Sequence, residues 1–435
     1  MNPQTGLSLD QAPPILVPFR FFLSAPLFAL LAALLALWFS PSLLDSRWQP
    51  PVLALTHLMT LGFLGMAMVG AMMQMLPVLA GSPVARPVGV ARAVHGLLIP
   101  GVLLLAGGFL LGMPLPVRLA MALLGTGFMI FIVAAGLSLW RAPSGNPSMI
   151  GMRFAVAGLS VTVVLGLVLA SNTGWAWWLT RWVQVTNLHA TWGLLGWVGP
   201  LVIGVSYQVV PMFQLTPAYP KSMTRWLSGM LFLLLLLVSA TFLLPEGRVQ
   251  EPATRVVALL IVAAFAAFAL VTLRLQLRRR RKQSDVTLLF WRFGMACLLL
   301  ALVLGLAGQA MPAWAGAPRA DFMMAFLFIA GFAVSVVNGM LYKIVPFLIW
   351  FHLQSLLIGV VRVPNMKVIM PEPGMRRQMW LHFAAVPTLA LSALWPPLIY
   401  PAALLFGTSM ILLEVNLLSA FRIYQQNAKL ATKGS

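Results

Sequence analysis

The chain has 435 residues, of which 61% are hydrophobic and 8% charged, and its mean hydropathy is +0.94. Soluble domains carry about 25% charged residues, so this composition excludes a soluble enzyme and a disordered chain. The single cysteine, Cys297, excludes an intrachain disulfide and a CxxC metal site. The net charge of +20 would suggest nucleic-acid binding in a soluble protein. Here the basic residues separate long apolar runs, which is typical of a polytopic membrane protein with no nucleic-acid partner.

A membrane-spanning helix needs about 20 mostly apolar residues. Twelve such runs follow one another, near residues 15–40, 52–79, 94–112, 119–140, 152–171, 184–212, 226–244, 256–276, 287–310, 322–351, 379–397 and 399–421. The last two are separated only by Pro396 and Pro397. The first run starts late and lacks the small-residue cleavage site of a signal peptide. We therefore predict an all-α polytopic membrane protein with about twelve transmembrane helices.

The loop charges predict the orientation of these spans. The loops after spans 2, 4, 6, 8 and 10, together with the C-terminal tail, hold 19 Lys and Arg residues, whereas the loops after spans 1, 3, 5, 7 and 9 hold six. Because Lys and Arg concentrate on the cytoplasmic side, both termini are predicted to be cytoplasmic. The run 278–282 is the strongest of these anchors.

An internal repeat relates spans 2, 6 and 10. Three glycines and a proline recur with identical spacing in span 2 (Gly62, Gly65, Gly70, Pro77) and in span 6 (Gly196, Gly199, Gly204, Pro211). Span 10 continues the series, with an offset that is one residue longer (Gly331, Gly339, Pro346). We therefore predict a single membrane domain over 1–435, built of three four-helix repeats near 15–140, 150–276 and 287–422, with a cytoplasmic tail at 423–435. Close helix packing explains the glycines, but it does not explain the histidines at the outer ends of spans 2 and 6.

This arrangement, with His57 near the outer end of span 2 and His189 in span 6, resembles subunit I of the haem–copper oxidase superfamily. The glycine and proline pattern, and the segment 18–22 (PFRFF) that opens span 1, also resemble the NnrS-like nitric-oxide-response haem–copper membrane proteins. The resemblance implies a pseudo-threefold arrangement in which spans 2, 6 and 10 line three pores. It also implies a location in the cytoplasmic (inner) membrane of a bacterium.

Two ligand positions carry over from this resemblance, and the rest of the ligand set does not. His57 matches a haem axial ligand, and His189 matches a metal ligand of the central site, so b-type haem and copper are the implied cofactors. Span 10 has Asp321, Met323 and Met324 where the family has a histidine, and span 7 has no histidine pair. Met323 and Met324 are candidates for the second axial position, because His/Met ligation of haem is chemically sound. Without the missing histidines, a proton-pumping oxygen-reducing centre cannot be assembled.

Other residues within the spans have a functional and a structural interpretation. Lys343 and Glu414 are candidates because intramembrane ionisable groups are costly, although Lys343 lies close enough to the cytoplasmic end to snorkel. Tyr207 and Tyr342 occupy matching repeat positions, where wall hydrogen bonding is favoured over redox chemistry.

Methionines and two further histidines have mainly structural interpretations. Met59, Met66 and Met73 recur every seven residues on one helix face, which suits either a Cu(I) path or core packing. His95 and His382 lie beside arginines and are interpreted as interfacial residues.

Three hypotheses about function remain open from the sequence. The first is a haem-binding membrane protein, with or without copper, that serves electron transfer or the handling of nitric oxide or another diatomic gas, with a cytochrome or other respiratory membrane subunits as partners besides the lipid bilayer. The second is a haem-free permease or copper-handling transporter that uses the central pores. A scaffold that has lost its cofactors is a third hypothesis. Oxidoreductase activity is open under the first hypothesis, but conventional oxygen reduction is not expected.

Overall fold

The structure is a computed structural model that describes residues 12–40, 42–142, 145–175, 179–244, 247–281, 283–310, 318–357 and 363–431. Within these ranges the regular structure is entirely helical. Eleven of the described helices are long and apolar enough to cross a membrane. The predicted all-α polytopic membrane fold is therefore confirmed.

Each predicted run corresponds to one long helix, because long apolar stretches satisfy their backbone groups internally only as helices in lipid. The helices are α1 (Leu16–Phe39), α2 (Pro50–Leu79), α3 (Pro87–Leu111), α4 (Pro114–Arg141), α5 (Pro147–Gly174), α6 (Trp182–Gln214), α7 (Lys221–Thr241), α8 (Gln250–Leu277), α9 (Val286–Ala310), α10 (Arg319–Leu356), α11 (Glu372–Ser392) and α12 (Ile399–Ala431).

The helix α11 is the one that falls short of the composition of a membrane span. The run 379–397 is helical from Glu372 to Ser392, and its first turns contain Arg376 and Arg377, which lower its hydropathy. A short 3₁₀ turn at Pro396–Leu398 separates it from α12, as the two prolines predict. The helix α12 continues to Ala431, so the predicted tail is helical up to that residue, and 432–435 lie outside the described residues.

The described helices group into two compact units. Unit 1 comprises Met1–Val17 and Ala71–Arg281 and holds the end of α2 together with α3–α8, and unit 2 comprises Pro18–Gly70 and Lys282–Ser435 and holds α1, most of α2 and α9–α12. The predicted three repeats and their pseudo-threefold relation stay a prediction.

The repeat glycines lie where neighbouring helices approach each other closely. In unit 1, a Cβ on Gly158 of α5 would overlap the carbonyl group of Gly196 on α6, and a Cβ on Gly151 would lie 2.5 Å from Cα of Gly204. In unit 2, a Cβ on Gly62 would lie 2.5 Å from the Phe28 side chain of α1. Only glycine permits these approaches, so close packing accounts for the repeat glycines.

The helices α2, α6 and α10 each contain a wide π-helical segment. These segments are Leu58–Gly65, Trp192–Val198 and Phe326–Val334, and they begin at equal intervals along the chain. In the most apolar 18 residues of each helix, 61%, 72% and 67% are buried, against 28–56% for the other counted spans. A π turn holds one residue more than an α turn and occurs frequently at functional sites. The three motif-bearing helices are therefore also the most buried and the least regular.

The orientation of the spans gives a prediction that reporter fusions can test. A fusion after Arg47 follows α1, and a fusion after Arg281 follows α8. The excess of basic residues in the even-numbered loops predicts an external Arg47 fusion and a cytoplasmic Arg281 fusion. Activity of the same compartment-specific reporter at both positions would contradict the predicted number of spans between them.

Candidate functional site

His57 is the last residue of α2 before the wide segment 58–65. Its side chain is half-buried, and Nδ1 lies 2.7 Å from the carbonyl oxygen of Leu53, one turn earlier. A carbonyl can only accept, so Nδ1 carries the proton and Nε2 carries the lone pair. A histidine that binds a metal or haem iron usually donates its other ring nitrogen to such a carbonyl. The local geometry therefore suits ligation through Nε2.

His189 has the same tautomer but a different setting. Its Nδ1 lies 3.0 Å from the carbonyl oxygen of Thr162 on α5, and its Cε1 would lie 2.9 Å from a Cβ on Gly166. His189 belongs to unit 1, whereas His57 belongs to unit 2. His57 directly precedes its wide segment, whereas His189 is the third residue before the wide segment of α6. The two histidines are thus out of register by two positions, about 3 Å along and about 200° around a helix.

Within unit 2, the wide segments of α2 and α10 contact each other. Near the start of α10, Met323 packs against a buried apolar cluster that contains Phe322. Leu55 of α2 packs against the same cluster. Met324 faces a different helix, because its Sδ lies 3.4 Å from the Cβ position of Gly305 on α9. Of the two predicted methionines, Met323 is therefore the one on the side of α2.

An ion pair joins the start of α10 to the loop before α2. Arg47 Nε lies 3.6 Å from Asp321 Oδ2, and the Arg47 guanidinium lies 4.4 Å from the centroid of the Trp48 ring. Both charged side chains are partly exposed, so the pair contributes little stability. It does show that the α1–α2 loop reaches the start of α10, where Met323 lies.

The remaining polar candidates of unit 2 have structural partners or lie apart from His57 in sequence. Lys343 does not rely on snorkelling alone, because its Nζ lies 3.5 Å from Asp285 Oδ2. The Asn416 amide donates to the Tyr342 hydroxyl at 2.9 Å. Glu414 Oε2 is buried and has no hydrogen-bond partner among the described residues. These contacts favour structural roles for Lys343 and Tyr342.

In unit 1, Tyr207 also has a structural partner. Its hydroxyl donates to the carbonyl of Met223 at 3.2 Å, and its ring lies edge-on to Tyr219 with centroids 5.3 Å apart. Tyr219, in the loop between α6 and α7, has its hydroxyl 2.9 Å from Thr272 Oγ1, and burial raises its pKa to about 12. Tyr207 thus hydrogen-bonds within the helix wall, as the sequence favoured.

The predicted methionine stripe on α2 is not one continuous face. Met59, Met66 and Met73 are all buried, but Met59 lies inside the wide segment. The extra residue in each π turn breaks the seven-residue spacing that a regular α-helix needs. Core packing therefore explains these methionines.

The structure also places His382 differently from the sequence interpretation. His382 lies well inside α11, about 15 Å from its start, and its side chain is fully buried. Its Nε2 lies 2.9 Å from the Ser335 hydroxyl of α10. The interfacial interpretation is wrong because Arg376 and Arg377 belong to the first turns of the same helix, well before His382. The apolar residues that follow His382 were the sequence signal for burial.

Haem and copper, the two implied cofactors, need different sets of protein ligands. Among the described residues, no three His, Cys, Asp or Glu side chains come together. A single histidine such as His57 suits haem iron, because the porphyrin supplies four of the iron ligands. His189 has no second histidine from α7 to share a copper ion with, since α7 contains none. Comparison of the chain with protein-family models and with curated proteins found no match.

Proposed function

We propose that this membrane protein binds a b-type haem through His57, with a fold like that of haem–copper oxidase subunit I, and acts in electron transfer or in handling nitric oxide or a similar diatomic gas. The observation that carries the proposal is the position of His57 directly before the wide segment of α2, which contacts the wide segment of α10. The Nδ1 contact of His57 with Leu53 sets the tautomer that ligation through Nε2 needs. The haem, when bound, would supply reversible one-electron exchange or a gas-binding iron.

The position of Met323 supports a His/Met arrangement. Met323 lies on the side of α10 that packs toward α2, whereas Met324 faces α9. Methionine is neutral and raises the haem potential, which suits an electron-transfer role. An open sixth position would instead suit gas binding. The inner membrane is the proposed location, and a cytochrome or another respiratory membrane subunit is the proposed electron partner.

The test compares haem content in three histidine variants of the detergent-purified protein. We expect His57→Ala to lose most of its haem and part of its thermal stability, since a cofactor that binds only the folded state stabilises it. His352→Ala is a matched control, because His352 Nδ1 contacts the carbonyl of Leu348, also one turn earlier, at 2.9 Å. His189→Ala reports whether the second predicted ligand holds a separate metal.

The outcomes separate the two open functions. Loss of haem in His57→Ala with retention in His352→Ala supports the proposal. No Soret band in the parent, or full haem content in His57→Ala, contradicts it, and bound copper in a colourless parent would favour the copper-handling permease. Met323→Ala should alter the far-red thioether-to-iron band of a His/Met haem, whereas Met324→Ala should leave it unchanged.

A further inference from the structure

A buried polar contact joins α11 to α10 directly after the wide segment of α10. Ser335 follows Val334, the last residue of that segment, and its hydroxyl lies 2.9 Å from His382 Nε2. Both side chains are fully buried. Nδ1 of His382 is also buried and has no hydrogen-bond partner among the described residues. The contact with Ser335 therefore joins the imidazole of α11 to α10 directly after the wide segment.

The surroundings of His382 are aromatic and tightly packed. Its ring centroid lies 5.6 Å from that of Phe290, 6.0 Å from Phe406 and 6.3 Å from Phe293. A polar ring in such a setting is costly unless its nitrogens are hydrogen-bonded. The contact with Ser335 therefore has a strong energetic reason to persist.

The two neighbouring helices also press on the wide segment. A Cβ on Gly331, within that segment, would lie 2.7 Å from Cys297 Cβ of α9 and 3.2 Å from Val386 of α11. Val386 is one turn after His382. The wide segment is thus held between α9 and α11 at the level of His382.

The register of the wide segment determines which side chains of the preceding turns of α10 face α2. A π turn accommodates an extra residue, so its relaxation to an α turn would rotate everything before it relative to Ser335 by about 100° for each residue of register. Met323 and Met324 are adjacent residues on that side, and about 100° also separates their directions. At present Met323 packs on the cluster with Leu55 and Met324 faces Gly305.

We propose that His382 is a positioning residue that, through Ser335, holds the wide register of α10 and so sets Met323 rather than Met324 toward α2. The statement about register stands on the protein alone. Its consequence for an axial ligand rests on the proposed haem function. No direct contact between His382 and the haem is required.

Cross-linking of engineered cysteines reads the register without any haem. In a Cys297→Ala background, Gly305→Cys is combined with a cysteine at Met323, Met324 or Ala325, one at a time, and treated with a short thiol-specific cross-linker. The parent register predicts the highest yield at position 324, whose side chain contacts the Gly305 position. Adding His382→Leu should lower the yield at 324 and move the maximum toward 325, because 325 takes that place once the register shortens by one residue.

Two further variants keep the result interpretable. Ser335→Ala removes the same hydrogen bond from α10 and should shift the maximum in the same direction, even if His382→Leu does not accumulate. Ser409→Ala is the matched control, because Gln378 of α11 donates to Ser409 at 2.8 Å, both side chains are fully buried, and α12 rather than α10 is the partner. Its maximum should stay at 324. A maximum at 324 in both His382→Leu and Ser335→Ala would overturn the proposal.

The haem spectrum then separates this inference from the proposed function. If haem is bound, His382→Leu should change the axial-ligand band while His57 retains the haem, and Ser409→Ala should leave the band unchanged. If the parent contains no haem, the proposed function fails, but the cross-linking maxima still decide whether His382 sets the register. An unchanged band together with a shifted cross-linking maximum would remove Met323 as a ligand and leave the register assignment in place.

Discussion

Replacing Gly158 by alanine is expected to destabilise the protein severely. A Cβ at this position would overlap the backbone carbonyl of Gly196, and a carbonyl within a helix cannot rotate away. The helices α5 and α6 would have to separate, which would disturb the neighbouring approach of Gly151 to Gly204 as well. Overpacking of a core costs about 1–3 kcal/mol, and this variant should reach or exceed the upper value. The midpoint of thermal unfolding in detergent and the yield of monodisperse protein measure the effect.

Gly136→Ala is the matched control for that substitution. Gly136 lies within α4, and a Cβ there would meet no other atom within 4 Å. Because alanine is favoured over glycine in a helix by about 1 kcal/mol, this variant should be as stable as the parent or slightly more stable. Equal unfolding midpoints for Gly158→Ala and Gly136→Ala would show that α5 and α6 do not meet through their backbones.

Removing the Asp285 side chain is expected to produce the second large loss. Asp285 Oδ1 accepts the N–H of Leu288 at 2.9 Å and so caps α9, while Oδ2 lies 3.5 Å from Lys343 Nζ. Loss of an N-cap costs about 1 kcal/mol. Asp285→Ala also leaves the partly buried Lys343 ammonium without this carboxylate. Breaking a fully buried ion pair costs about 3 kcal/mol or more. The pair here keeps some solvent contact, so the total should fall between these values.

Two comparison variants separate the cap from the charge. Asp285→Asn keeps an oxygen that can accept from Leu288 but removes the negative charge, so its unfolding midpoint should lie between those of the parent and Asp285→Ala. Adding Lys343→Met to Asp285→Asn removes the ammonium that has lost its carboxylate and should recover stability. If Lys343→Met lowers stability further in that background, the cost does not come from the unpaired charge.

The membrane fold was predictable because its signal is local. Each apolar run was found as a helix, since a span must satisfy its own backbone in lipid. The boundary at Pro396 and Pro397 was also predictable from a local signal, because proline ends helices and favours turns. The helix α11 was harder to assign as a span, since Arg376 and Arg377 lie inside its first turns while tertiary contacts bury Gln378 and His382.

The site was less predictable than the fold because it depends on helix register. Reading side-chain directions from sequence assumes about 3.6 residues per turn, and the wide segments violate that assumption in α2, α6 and α10. The predicted stripe of Met59, Met66 and Met73 rested on this assumption. The choice between Met323 and Met324 could not be made at all, since adjacent residues differ only in the direction that register determines.

The equal spacing of the wide segments also bears on how they arose in evolution. An insertion in a helix is hard to accommodate, so three independent insertions at equal intervals are a poor explanation of Leu58–Gly65, Trp192–Val198 and Phe326–Val334. If the three predicted repeats are copies of one four-helix unit, a single insertion made before that unit was copied would account for all three segments. The glycine offset is one residue longer between the second and third copies than between the first and second, although the segments themselves start at equal intervals. Between the start of its wide segment and the first glycine of the motif, α10 therefore contains one residue more than α2 and α6 do.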